Sequence, residues 1–169
     1  MSSVVKRCSV AAVLLLAVLV PDFRLLHTSQ DGLALLADLE ECRLRPYQCS
    51  AGVWTSGIGH TAGVTPARDI TEREAATNLV ADVLGTERRL AVCAPVDMPQ
   101  HVYDAVVSFA FNVGTGAACR STLVYFLNEK KWKQACDQLP RWVYVRGVKS
   151  TGLENRRQRE REYCLKGAQ

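Results

Sequence analysis

In the stretch GLALLADLEEC, which starts at Gly32, residues Leu33, Leu36 and Ala37 recur at the spacing of one helical face, and Ser29 or Asp31 stands where a cap is needed. This pattern predicts a first amphipathic helix. Glu40 falls on the same stripe, four residues after Leu36 and seven after Leu33, whereas Glu41 is directed toward Asp38 and Ala34. A carboxylate therefore occupies a place the pattern reserves for hydrocarbon. From Cys49 to Thr61 the sequence becomes CSAGVWTSGIGHT, glycines alternating with β-favouring Val53, Trp54, Thr55 and Ile58, which predicts a small hairpin with Thr55 on the face shared by Val53 and Gly57.

Beyond Pro66 the helical period returns. Thr71 and Glu74 have capping-box spacing, and Leu79, Val83, Leu84 and Leu90 continue one helix. A helix apolar on most sides comes next over His101–Val113 and stops at Gly114. Shorter helices are expected over Ser121–Lys130 and Lys131–Leu139, and a basic one over Leu153–Leu165. The sum is an α+β arrangement, a small hairpin-bearing lobe and a larger helical lobe with a cleft between them.

Ahead of this region, Lys6 and Arg7 precede CSVAAVLLLAVLV, Cys8 to Val20, a run of thirteen residues without a charge that Pro21, Asp22 and Arg24 close. A permanent spanning helix wants roughly 20 apolar residues. The run reads as an export signal, retained as an uncleaved membrane segment or removed, with a buried core helix as the third reading. No Ala-x-Ala triplet succeeds it, which favours retention. The positive-inside tendency leaves the N-terminus in the cytoplasm and exports the rest of the chain. Residues 1–26 are thus expected to form the segment, and 27–169 the exported domain.

Composition changes this picture in two respects. With 169 residues, 48% hydrophobic and 22% charged, the chain fits one domain plus an appendage. Seven cysteines, however, cannot all pair within one chain, and export puts them where disulfides persist. Net charge is +4, yet residues 129–169 alone carry eleven Lys and Arg against five Asp and Glu. Such a basic end either draws an anionic polymer or is a solvated helical face. No CxxC or close Cys/His pair suggests zinc, and no metal or cofactor is expected.

Glu40 is the first candidate for chemistry, because a carboxyl desolvated at the end of an apolar stripe stays protonated near neutral pH, as a general acid must. Cys49 and Thr55 come after it in the spacing Glu-x8-Cys-x5-Thr. Spacing alone is a weak signal, and it favours the plainer reading of a helix-ending glutamate and a structural disulfide cysteine.

The run LEECRLRPYQCSAGVWTSGIGHTAGVTP, with Glu40, Arg43, Leu44, Tyr47, Gly52, Thr55, Gly57, Gly59, His60 and Thr61, strongly resembles the phage-type lysozymes, the muramidases of glycoside hydrolase family 24. So do VVSFAFNVG, QLPRWVYVRG and GLENRRQRERE, in the same order, so that the resemblance covers about residues 30 to 167. With its apolar start, the chain looks like a signal-anchor-release endolysin of a tailed phage. The resemblance implies that Glu40 protonates the leaving glycosidic oxygen, that Cys49 stands where most members have the catalytic aspartate, and that Thr55 completes the triad. A thiolate can accept the proton of an attacking water in an inverting hydrolysis, although a free thiol titrates near about 8.5. Trp54, His60, Phe111 and Asn112 are implied at the cleft, Phe111 reading as ordinary core rather than as a sugar platform. Glu41 replaces the family's usual glycine, and the apolar run is richer in Leu and Val than easily released anchors are.

The same resemblance, to the cysteine-regulated subset, organises the thiols. Positions flanking core helices suggest Cys93 with Cys119 and Cys136 with Cys164 as structural pairs, with connectivity left open by sequence. Cys8, Cys42 and Cys49 remain. A Cys42 to Cys49 disulfide would consume the base, and Cys8, once out of the bilayer, would attack Cys42 and free Cys49. A permanent Cys42–Cys49 staple is the plainer alternative. The expected partners are peptidoglycan and the bacterial inner membrane through residues 8–20, with holin-type depolarisation as trigger, no nucleic acid, and a monomer released to the periplasm. Rival functions are a lytic transglycosylase that also uses Glu40, and a wall peptidase with Cys49 as nucleophile and His60 as base.

Overall fold

The computed structural model describes residues 6–169; the first five residues of the expected 1–26 segment lie outside the described residues. Two compact units result. One comprises residues 6–26 with Leu36–Leu84, the other His27–Leu35 with Gly85–Gln169.

In the first unit, β1 (Cys42–Gln48) and β2 (Trp54–Ile58) pair antiparallel, Cys42 opposite Ile58 and Gln48 opposite Trp54. The hairpin expected over Cys49–Thr61 therefore begins earlier, at Cys42, and Cys49 opens its turn rather than its first strand. Pro46 conceals that strand in the sequence, since proline has no N–H to donate to a ladder. The ladder indeed breaks register between Arg43 and Tyr47. At the end of β2, Ser56 and His60 exchange backbone hydrogen bonds of 2.9 and 3.0 Å around a second tight turn. Gly57 lies in this turn at φ +58, where a Cβ would meet that of Ala75 at 3.2 Å, so glycine alone lets the turn approach so closely.

The apolar run does not form one straight helix. Ser9 caps α1 (Val10–Ala17) by accepting the Ala12 N–H on its hydroxyl, and a 3-10 turn, Pro21–Leu25, comes after it. Val13 and Ala17 are fully buried while Leu15 is 72% exposed. Among the described residues no helix is long and apolar enough to cross a membrane. Just before α1, Arg7 bridges Arg43, the Leu44 N–H donates to the Lys6 carbonyl at 2.8 Å, and the Cys8 N–H donates to the Cys42 carbonyl at 3.2 Å. Residues 6–8 thus lie beside β1 as a short third strand.

Two helices contribute residues to both units. Ser29 starts α2 (Gln30–Leu39) by accepting the Gly32 N–H. The predicted capping box starts α3 (Glu72–Cys93): Thr71 N–H donates to the Glu74 carboxylate at 2.8 Å, and Glu74 N–H to the Thr71 hydroxyl at 3.1 Å.

The second unit is helical. It contains α4 (Gln100–Val113), α5 (Thr115–Cys119), α6 (Thr122–Asn128), α7 (Trp132–Cys136) and α8 (Thr151–Leu165), with a two-residue-per-strand hairpin, β3 (Tyr144–Val145) and β4 (Val148–Lys149), before α8. Val102, Val106, Val107, Phe109, Leu123, Leu127 and Leu139 are its buried hydrocarbon. The disulfides Cys93–Cys119 and Cys136–Cys164 tie α3 to α5 and α7 to α8.

The basic C-terminal helix differs from a uniformly solvated face. Arg156 and Arg157 are 6% and 1% exposed and converge on Glu160, which is fully buried and also accepts the Ser108 hydroxyl at 2.7 Å. Two cations of the basic end are therefore spent inside the unit, where a buried charge survives only with partners.

Candidate active site

Glu40, Cys49 and Thr55 all belong to the first unit. Glu40 is the first residue beyond α2, half-buried, with its N–H donating to the Leu36 carbonyl at 3.2 Å. Because α2 stops at Leu39, Glu41 leaves the helix rather than facing Asp38 along it. Its carboxylate pairs with Arg43, whose guanidinium lies 4.2 Å over the Tyr47 ring. Burial, with the nearby Glu41 and Glu40 charges adding to it, pushes the Tyr47 phenol up, which keeps it protonated. The Cys49 sulfur acts on the same phenol, so Tyr47 sits within the fields of Glu40 and Cys49 together.

Cys49 is the free thiol; the other six cysteines pair, Cys8 with Cys42. Gly52 at φ +78 turns the chain so that its N–H donates to the Cys49 carbonyl, and the Cys49 N–H donates to the Val53 carbonyl. The turn then presents two backbone N–H groups to the sulfur. Donation from Ala51, then from Val53, holds the Cys49 thiol below its ordinary value, and the Thr55 hydroxyl adds to the effect. Thr55 is buried, opposite Tyr47 in the ladder, and its hydroxyl also lies 3.1 Å from the Val53 carbonyl. A hydroxyl has one proton, so it can serve the carbonyl when Cys49 is a thiol and the sulfur when it is a thiolate.

The remaining candidates are placed differently. Trp54 opens β2, partly buried. His60 sets its Nδ1 2.7 Å from Asp82, and burial pushes that carboxyl up against the pull of the imidazole. Among the described residues no hydrogen bond joins His60 to Cys49. Phe111 and Asn112 belong to α4 in the second unit, where Asn112 accepts a hydrogen bond from Arg157. The N–H cradle at Ala51 and Val53, and the Asp82 partner of His60, are contributions the residue pattern did not single out. Gly52, three places after Cys49, is the signal in the sequence that points to the cradle, because a glycine there lets the chain fold back sharply on the sulfur.

A family model described as phage lysozyme matches residues 37–160, which include Glu40, Cys49, Trp54, Thr55, His60, Phe111 and Asn112. The chain belongs to the phage lysozyme family. This lysozyme is therefore a glycoside hydrolase of the muramidase kind, with peptidoglycan as substrate and a lysozyme-like α+β fold of helical lobe and small hairpin. It is 36% identical over 157 residues to the SAR-endolysin of Escherichia phage P1, covering 83% of each chain. The crystal structure of the active form of P1 phage endolysin Lyz superposes with TM-score 0.85 at 33% identity, covering 96% of each chain. The secreted inactive form of the same endolysin superposes with TM-score 0.58 at 35% identity, covering 83% of this lysozyme and 97% of that chain.

Proposed function

We propose that this lysozyme cleaves the β-1,4 bond between N-acetylmuramic acid and N-acetylglucosamine, and that a disulfide exchange turns it on. The observation that carries this reading is the pairing of Cys8 with Cys42, which leaves Cys49 as a free thiol in a cradle of N–H donors. Glu40 protonates the leaving glycosidic oxygen. The Cys49 thiolate takes a proton from the water that attacks the anomeric carbon on the opposite face, and Thr55 steadies that thiolate and water.

In the silent form Cys42 is bonded to Cys49, and residues 8–20 hold the chain at the inner membrane with the catalytic domain in the periplasm. Loss of the membrane potential, as a holin would produce, lets the segment leave. The Cys8 thiolate then attacks the Cys42 sulfur, the Cys8–Cys42 bond forms, and Cys49 departs as a thiolate; one disulfide replaces another with no net oxidation. The greater likeness to the active form of the P1 endolysin than to its secreted inactive form supports assigning the Cys8–Cys42 pairing to the working enzyme. The released enzyme acts as a monomer, with no nucleic acid involved.

Disulfide mapping paired with turbidity loss on purified peptidoglycan tests the scheme. Wild-type protein released from membranes should carry Cys8–Cys42 and be active, whereas Cys8→Ser should carry Cys42–Cys49 and stay silent until reductant is added. A fully active Cys8→Ser protein without reductant would sink the exchange. Glu40→Gln should lose roughly 10²–10⁴-fold in rate with the Cys8–Cys42 bond intact. Products with new reducing ends fit hydrolysis; anhydro-muramic ends would make the enzyme a transglycosylase, and new amino groups a peptidase.

A further inference from the structure

The alternation of side chains along β2 sends Ser56 to the face opposite Thr55. On that face the first unit contains a cavity of about 410 Å³ whose wall includes Pro46, Ser56, Val64, Ile70, Arg73 and Asn78. Three properties give it a chemical preference. Ser56 is fully buried and its hydroxyl has no hydrogen-bond partner among the described residues, a state that costs free energy unless something enters to satisfy it. Of the two arginines at the wall, Arg68 is already paired with Glu74, which Thr71 also holds, so among the described residues Arg73 is the wall cation with no carboxylate on it. Pro46, Val64 and Ile70 supply a small apolar surface between these polar groups.

We propose that this cavity binds the carboxyl end of a peptidoglycan stem peptide. The inference rests on peptidoglycan being the substrate. A terminal D-alanine offers a carboxylate for the Arg73 guanidinium, a methyl group for Val64 and Ile70, and a backbone amide for the Asn78 carboxamide, while the buried Ser56 hydroxyl gains an acceptor or donor from the entering group. Because Ser56 and Thr55 face opposite ways, the peptide held here is not the glycan at Thr55. The cavity instead grips the wall beside the bond being cut, raising the local concentration of substrate without taking part in the chemistry.

The test uses the full-length protein with the Cys8–Cys42 bond in place and, as probe, a free stem peptide ending in D-alanine. Peptide titration monitored by amide NMR should move resonances of residues 62–78, and Arg73→Glu and Asn78→Ala should each weaken binding, the former about tenfold. On intact peptidoglycan Arg73→Glu should raise KM about tenfold at unchanged kcat, while cleavage of glycan stripped of its peptides should match wild type. Absence of peptide binding, shifts confined to Cys49 and Thr55, or equal loss on both polymers would each overturn the proposal. Peptide binding at residues 62–78 by a protein that cuts neither polymer would uphold the cavity and overturn the glycosidase reading instead.

Discussion

In the proposed mechanism Cys49 does a task usually given to a carboxylate, and the residue scale shows what that requires. A thiol in water is mostly protonated at neutral pH. Here backbone donation from Ala51 and Val53, reinforced by the Thr55 hydroxyl, lowers the Cys49 value, so the thiolate fraction and with it the rate should rise with pH through that lowered value. Replacing Cys49 with Asp should keep the enzyme active and move the acidic limb of its kcat/KM profile down to near the ordinary carboxylate value of about 4. A limb that does not move would show that Cys49 is not the base. The same substitution removes the proposed partner of Cys42, so Cys49→Asp combined with Cys8→Ser should be active with no exchange at all. Glu41 is neutralised by Arg43 rather than left facing Glu40, so Glu41→Gln should change the pH profile little.

At the scale of elements, stability rests on a few polar clusters as well as on hydrocarbon. Glu160 of α8 collects Arg156, Arg157 and the Ser108 hydroxyl of α4, and Arg156 also donates to the Ser108 carbonyl at 3.3 Å. Removing one member of a buried charged cluster leaves the others unpaired, at a cost of about 3–5 kcal/mol. Glu160→Gln should therefore lower the urea midpoint of unfolding without changing the slope. This cluster went unread in the sequence, where the basic end stood as a solvated face or an anion site, although Arg156 and Arg157 precede Glu160 by four and three residues and share its helical face. The capping box at Thr71 and the glycine stop after Val113 were fully legible, since each is a local device that needs no knowledge of neighbours. The first strand of the hairpin was not, because Pro46 contradicts a strand until its register break is seen. Nor were α5, β3 and β4, which are too short to show a period. At the candidate site, Glu40 stood out in the sequence as a charge on an apolar stripe and Thr55 only through its spacing from Glu40 and Cys49, whereas the cradle beneath Cys49 is made of backbone N–H groups that every residue but proline carries.

For the whole molecule, the disulfides divide into two kinds. Cys93–Cys119 and Cys136–Cys164 close loops with sequence separations of 26 and 28 and lie within the helical unit, which does not contain Glu40, Cys49 or Thr55. Loop-closure entropy gives each a stabilisation of about 3.5 kcal/mol. The double variant Cys93→Ser, Cys119→Ser should lose about that much in urea unfolding at unchanged activity, whereas Cys8→Ser, which leaves Cys42 to bond Cys49, should silence the enzyme even where the fold is kept. A comparable loss of activity in both variants would remove the distinction between staple and switch.

The short strand at residues 6–8 also turns one amide into a clock. With Lys6 in place, the Leu44 N–H is tied to a carbonyl at 2.8 Å; without it, that N–H lies on the open edge of a two-stranded ribbon. Its exchange with deuterated solvent should then be slow in the Cys8–Cys42 form and fast in the form with Cys42 on Cys49, so that a single backbone proton reports, molecule by molecule and without any substrate, how far a population has armed itself.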